Sequence, residues 1–109
     1  MKTVIIPDMT LILSAHHAVE EKLAQHPGHM LYSYAHRKIA DINKPDKPIR
    51  VDKILNSTRD MGIMCARELE SEDLDTCMKI YNMNSYLESI TGLSEDDIFM
   101  YQQGLIQIK

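Results

Sequence analysis

Residues Asp73–Thr91 read DLDTCMKIYNMNSYLESIT, and at helical spacing this stretch carries two apolar seams instead of one. Leu74, Cys77, Met78 and Tyr81 recur at steps of three and four on one side, while Ile80, Met83, Leu87 and Ile90 form a second stripe roughly opposite. A helix with two apolar sides must be covered twice, so the spacing predicts a chain arranged around it. Ser71 is the expected N-cap, with Glu72 and Asp73 in the first turn where the helix dipole favours acids, and Gly92 is the expected C′ residue.

Upstream, Val51–Leu69 is the most regular helical pattern in the chain. Val51, Ile54, Leu55, Thr58, Met61, Gly62, Cys65 and Leu69 share one stripe, and Gly62 within it predicts a close helix approach. Downstream, Ser94-Glu95-Asp96-Asp97 is close to a capping box and opens a last helix with Ile98, Tyr101 and Leu105 inward. Asn43–Pro48, NKPDKP, has two prolines and no apolar residue, so it reads as a linker. Before it, Met9–Gln25 puts Ile12, Ala15, Val19 and Leu23 on one helical face behind an Asp8 cap. His26-Pro27-Gly28 reverses the chain, and His29–Ile42 presents Leu31, Tyr34, Ala35 and Ile42, with Ile39 near the margin. Lys2–Ile6 is β-branched and reads as a short strand or an extended arm. The expectation is one all-α domain over residues 1–109, four to five helices around the central two-sided helix 73–91. It divides into a helical hairpin (8–42), a linker (43–48) and a helical remainder (51–107).

Composition agrees with an ordinary folded domain: 44% hydrophobic and 26% charged residues exclude a disordered or low-complexity chain. No apolar run reaches the roughly 20 residues of a membrane-spanning helix. The opening MKTVIIPDMT has no signal-peptide pattern, so a cytoplasmic protein without a membrane partner is expected. Cys65 and Cys77 fall on inward helix positions and read as buried, reduced thiols. The net charge of −4 is unevenly spread: residues 1–53 hold eight Lys or Arg against six acids, whereas residues 54–109 hold four against ten. Such a split means either that the halves attract each other within the fold or that each faces a different partner.

The five histidines, His16, His17, His26, His29 and His36, all lie in the first 37 residues. His16 and His17 each stand four residues before a glutamate, so imidazole and carboxylate share a helical face as metal ligands must, and a hairpin could bring His29 and His36 to them. No zinc signature such as HExxH or CxxC accompanies them, and His16 borders the apolar stripe, so the expected metal and cofactor are none. No nucleophile elbow, phosphate-cradling glycine loop or EF-hand spacing exists either, and no catalytic residue is assigned.

In order of parts, residues 2–42 resemble the ribbon-helix-helix DNA-binding dimers: a short strand, a proline, a helix, a tight turn and a second helix. That resemblance implies a DNA-binding regulator. Val4-Ile5-Ile6, however, is continuously apolar where such a ribbon needs polar residues to read bases. The favoured reading is a non-enzymatic protein-binding module: a small regulator, inhibitor or accessory protein, acting as a homodimer on an unidentified protein partner. Its expected association surface is the second seam, Ile80, Met83, Leu87 and Ile90, helped by eight adaptable methionines. The alternatives are the DNA-binding regulator and a His/Glu metal-dependent enzyme.

Overall fold

A computed structural model describes residues 2–108. Its elements are β1 (Thr3–Val4), α1 (Thr10–Gln25), α2 (Met30–Ile42), β2 (Ile49–Arg50), α3 (Val51–Met64), α4 (Leu74–Ser89) and α5 (Glu95–Gln102). This is the small all-α domain expected, five helices with one two-residue ladder. Among the described residues, no helix is long and apolar enough to cross a membrane.

The hairpin forms where its sequence places it, although the N-cap of α1 is Met9, without a side-chain cap, and not Asp8. The Asp8 carboxylate accepts from the Thr10 backbone N–H at 2.9 Å and from the Thr10 hydroxyl at 2.6 Å, holding the chain at the entry to α1. Ile12, Ala15 and Val19 are fully buried on the predicted stripe. The short link 26–29 folds α2 back onto α1, and Ile39, expected only at the margin of α2, is fully buried with Ala35 and Ile42.

The arm before α1 is a strand of two residues. It pairs antiparallel with β2 of the same chain, Thr3 opposite Arg50 and Val4 opposite Ile49. The ribbon of a ribbon-helix-helix protein pairs instead with a second chain. Here the strand's partner lies just beyond the 43–48 linker.

Beyond β2, α3 buries Val51, Ile54, Leu55, Thr58 and Met61 as its stripe predicts. At Cys65–Leu69 it widens into a π-helical turn, in which the Glu70 N–H donates to the Cys65 carbonyl at 2.8 Å. Cys65 and Leu69 remain fully buried in that turn. Gly62 does not mark a forced close approach, because a Cβ there would meet the Asn84 amide at 3.9 Å, an ordinary contact.

The central helix needs two corrections. Its N-cap is Asp73, not Ser71: Asp73 accepts from the Thr76 N–H at 3.1 Å, while the Ser71 hydroxyl donates back to the Glu68 carbonyl. The first seam is also only half covered. Cys77 is buried and Tyr81 half-buried, but Leu74 and Met78 are 53% and 47% exposed. What α4 buries is one broad face, Thr76, Cys77, Ile80, Met83, Asn84 and Leu87, wide enough to meet α1 on one flank and α3 on the other.

At the C-terminal end Ser94 caps α5, accepting from the Asp97 N–H at 3.1 Å. Ile98 joins Val51 and Leu55 in a second, smaller core cluster. The helix stops at Gln102 instead of continuing to 107, and Leu105, expected inward, is exposed beyond Gly104. Gly104 has φ +78°, a left-handed conformation that ends a helix cheaply only at glycine.

Candidate functional site

The residues expected to form an association surface are not on the surface. Ile80, Met83 and Leu87 have no exposure, and Ile90 is half-buried against the main core. The reason is geometric. The hairpin packs α1 along α4, so the apolar stripe of α1 covers the second seam, which therefore belongs to the core. The same packing leaves the α2–α3 side of the molecule open.

There, Met30, Leu31, Tyr34, Ile63 and Met64 line a cleft of about 680 Å³. Met30 opens α2 one residue beyond its His29 cap and stands 82% exposed, while Met64 at the end of α3 supplies the cleft's floor. Four charged residues edge it: Arg37, Asp60, Arg67 and Glu68. Asp60 is committed internally, within 3.2 Å of both Lys38 and Arg59. Among the described residues neither Arg37 nor Arg67 has a carboxylate within ion-pair distance, so the rim carries two uncommitted guanidinium groups against Glu68.

The histidines divide. Because His16 and His36 lie at similar distances either side of Pro27, the hairpin brings their rings together, centroids 5.0 Å apart. Glu20, one turn after His16, reaches both: its carboxylate oxygens lie 3.5 Å from His16 Nδ1 and 3.6 Å from His36 Nε2. His17 instead pairs with Glu21 at 3.3 Å as a solvated i,i+4 couple. His29 stacks against Tyr32 at 4.3 Å and faces Glu72 from the mouth of α2, away from His36.

No family model, curated protein or solved structure matches the chain.

One buried polar arrangement was not anticipated. Tyr32, only 5% exposed, donates its hydroxyl to Asp73 Oδ2 at 2.6 Å, and the Thr76 hydroxyl donates to the same oxygen at 2.6 Å. Burial pushes the Asp73 carboxyl upward, but these hydrogen bonds, the Thr76 N–H and Lys22 at 3.9 Å outweigh it and hold the group below the usual carboxylate range. Desolvation in turn pushes the Tyr32 hydroxyl far up, and the Asp73 charge beside it adds to the rise. This network ties α2 to the start of α4 and is a structural device. Cys65 and Cys77, both buried and unbridged, likewise have thiols raised chiefly by desolvation, so neither is poised as a nucleophile.

Proposed function

We propose that the protein is a non-enzymatic protein-binding module, a small regulator, inhibitor or accessory protein, that takes an amphipathic, acid-flanked helix of a partner protein into the α2–α3 cleft. The observation that supports this is an apolar lining in which Met30 and Ile63 are exposed, beside two rim arginines that have no carboxylate within ion-pair distance among the described residues. A groove of this kind fits the helix-in-groove mode, in which apolar anchors at i, i+3 and i+7 seat in the lining. Methionine side chains adapt to the anchor shape, and the rim charge selects acidic flanks and speeds encounter. Because the second seam of α4 is buried, a second copy of this chain would compete for the same cleft.

The test is affinity capture by the full chain from its native source, run in parallel with Met30→Asp/Ile63→Asp and Arg37→Glu/Arg67→Glu. Support is a protein retained by the wild type, lost with both variants and released progressively by salt. Equal retention by all three chains would overturn the reading. Light scattering that shows a dimer broken by the first variant would put a second copy in the cleft instead. The DNA-binding alternative has little support, since β1 is paired within its own chain and the uncommitted arginines edge an apolar cleft.

A further inference from the structure

The cluster His16, Glu20 and His36 lies on the α1–α2 seam. We infer that it binds one divalent transition-metal ion of the zinc class, held by His16 Nδ1, a Glu20 carboxylate oxygen and His36 Nε2. Water from the solvent side completes the shell.

Three observations carry this. One ligand atom from each of the three residues lies within 4.8 Å of the others, although the residues come from two helices. The individual distances are also unlike those of hydrogen bonds. An imidazole N–H to carboxylate bond runs about 2.7–3.2 Å, whereas the two separations here are 3.5 and 3.6 Å. Ligand atoms about 2.0–2.1 Å from a tetrahedral zinc stand roughly 3.3–3.5 Å from one another. The two separations run to different oxygens of one carboxylate, Oε1 facing His16 and Oε2 facing His36, so each imidazole already stands at about a tetrahedral edge from the group that would bridge them. With all three ligand atoms within 4.8 Å of one another, a small rotation of the partly exposed His36 ring brings them around one ion.

The scaffold is the third observation. His16 and Glu20 are one turn apart on α1, and buried Ala15, Ala18, Val19, Ala35 and Ile39 fix the spacing between the two helices. The ion therefore meets ligands placed by packing instead of having to organise a loop, which lowers the ordering cost of binding. Two imidazoles with one carboxylate favour zinc, copper or nickel over magnesium or calcium, whose shells are oxygen. With the carboxylate ionised, the donor set is one negative charge and two neutral nitrogens, which a divalent ion overcompensates. Binding therefore adds net positive charge to an acidic protein. The site clamps α1 to α2 and does not rest on the docking reading.

The same helix supplies its own control. His17 and Glu21 repeat the i,i+4 pair one residue along, both exposed and, among the described residues, without a third ligand.

Metal-stripped full chain is titrated with Zn2+ by calorimetry, and histidine side-chain nitrogen shifts are followed by NMR. One equivalent is expected, with the shifts confined to His16 Nδ1 and His36 Nε2. His16→Gln, Glu20→Gln and His36→Gln should each weaken binding at least tenfold, while His17→Gln/Glu21→Gln leaves it unchanged. Thermal unfolding should move upward with Zn2+ in the wild type and stay put in His36→Gln.

Binding that survives in His36→Gln at wild-type strength would overturn the inference, since the α1 pair alone would then suffice. A Co2+ complex with a near-ultraviolet thiolate band would overturn it by placing the ion on Cys65 and Cys77. If a variant fails to fold, the nitrogen shifts of the wild type decide alone.

Discussion

Replacing Asp73 tests whether the hydrogen-bond network between α2 and α4 holds the hairpin onto the rest of the fold. Asp73 has three tasks: it caps α4 through the Thr76 N–H, accepts the Thr76 hydroxyl, and accepts the hydroxyl of the nearly buried Tyr32. Losing the cap costs about 1 kcal/mol. Leaving the Tyr32 hydroxyl without its acceptor adds roughly 1–3 kcal/mol. Asp73→Ala should therefore destabilise by about 2–4 kcal/mol, read from the urea midpoint at neutral pH with the slope unchanged. Tyr32→Phe removes one bond to a charged acceptor, about 1.5–3 kcal/mol. In the double variant the two losses overlap, and the cycle should return a coupling of at least about 1 kcal/mol. The carboxyl is held below its unfolded value, so its contribution is complete above about pH 4 and is lost as pH falls through the folded value. Asp73→Asn, which keeps a capping oxygen, should differ most from wild type at neutral pH and converge on it in acid. A coupling below about 0.5 kcal/mol, outside the range of interacting neighbours, would show that Tyr32 and Asp73 act independently and refute the network.

Other positions separate the buried from the exposed parts of the fold. Leu87→Ala should cost about 2–5 kcal/mol as a core truncation, whereas Leu74→Ala and Met78→Ala should stay within about 0.5 kcal/mol as surface changes; comparable losses at all three would restore a fully covered first seam. Gly62→Ala should stabilise by roughly 0.5–1 kcal/mol, as an alanine gained in a helix with room for its methyl group. Gly92→Ala, at φ +75° with Lys2 Nζ 3.4 Å from the new Cβ, should destabilise by about 1 kcal/mol; chemical denaturation reads both signs. Cys65 and Cys77 should resist a disulfide reagent at mildly alkaline pH in the native state and react quickly in urea, and equal rates would contradict their burial.

The helices were legible because apolar residues at three- and four-residue steps rarely occur without a core to meet them. The stripes of Met9–Gln25 and Val51–Leu69 are buried almost residue for residue. What periodicity cannot supply is the partner of each face. Ile80, Met83 and Leu87 were read correctly as apolar and incorrectly as available, since only the tertiary path of α1 shows that it lies along them. Tyr32 was missed because its hydroxyl needs an acceptor 41 residues away, a contact no local pattern carries. Ser71 and Asp73 are both good capping residues, and sequence alone does not say which one the turn at 70–72 places at the helix start. The pairing of β1 with β2 rests on two residues per strand, too few for alternation to show. His16 with Glu20 was visible as an i,i+4 couple, but the third ligand comes from the next helix and needed the hairpin to be folded.

The uneven charge has an answer in the same packing. Lys22 with Asp73 and Lys38 with Asp60 join the basic-leaning first half to the acidic second half. Lys38 with Asp60, partly exposed on both sides, contributes about 0–1 kcal/mol, so it orients the hairpin on the helical remainder more than it stabilises it. The consequence for Arg37 and Arg67 is the reverse. Having no carboxylate within ion-pair distance among the described residues, they are expected to contribute little to folding, and Arg37→Glu/Arg67→Glu should keep its unfolding midpoint within the change expected of surface substitutions, about 0.5 kcal/mol per site. A loss of partner capture in that variant then reports on the cleft itself. A marked drop in its stability would mean that the two arginines are already engaged by the fold, and the charge complementarity that supports an acid-flanked helical partner would go with it.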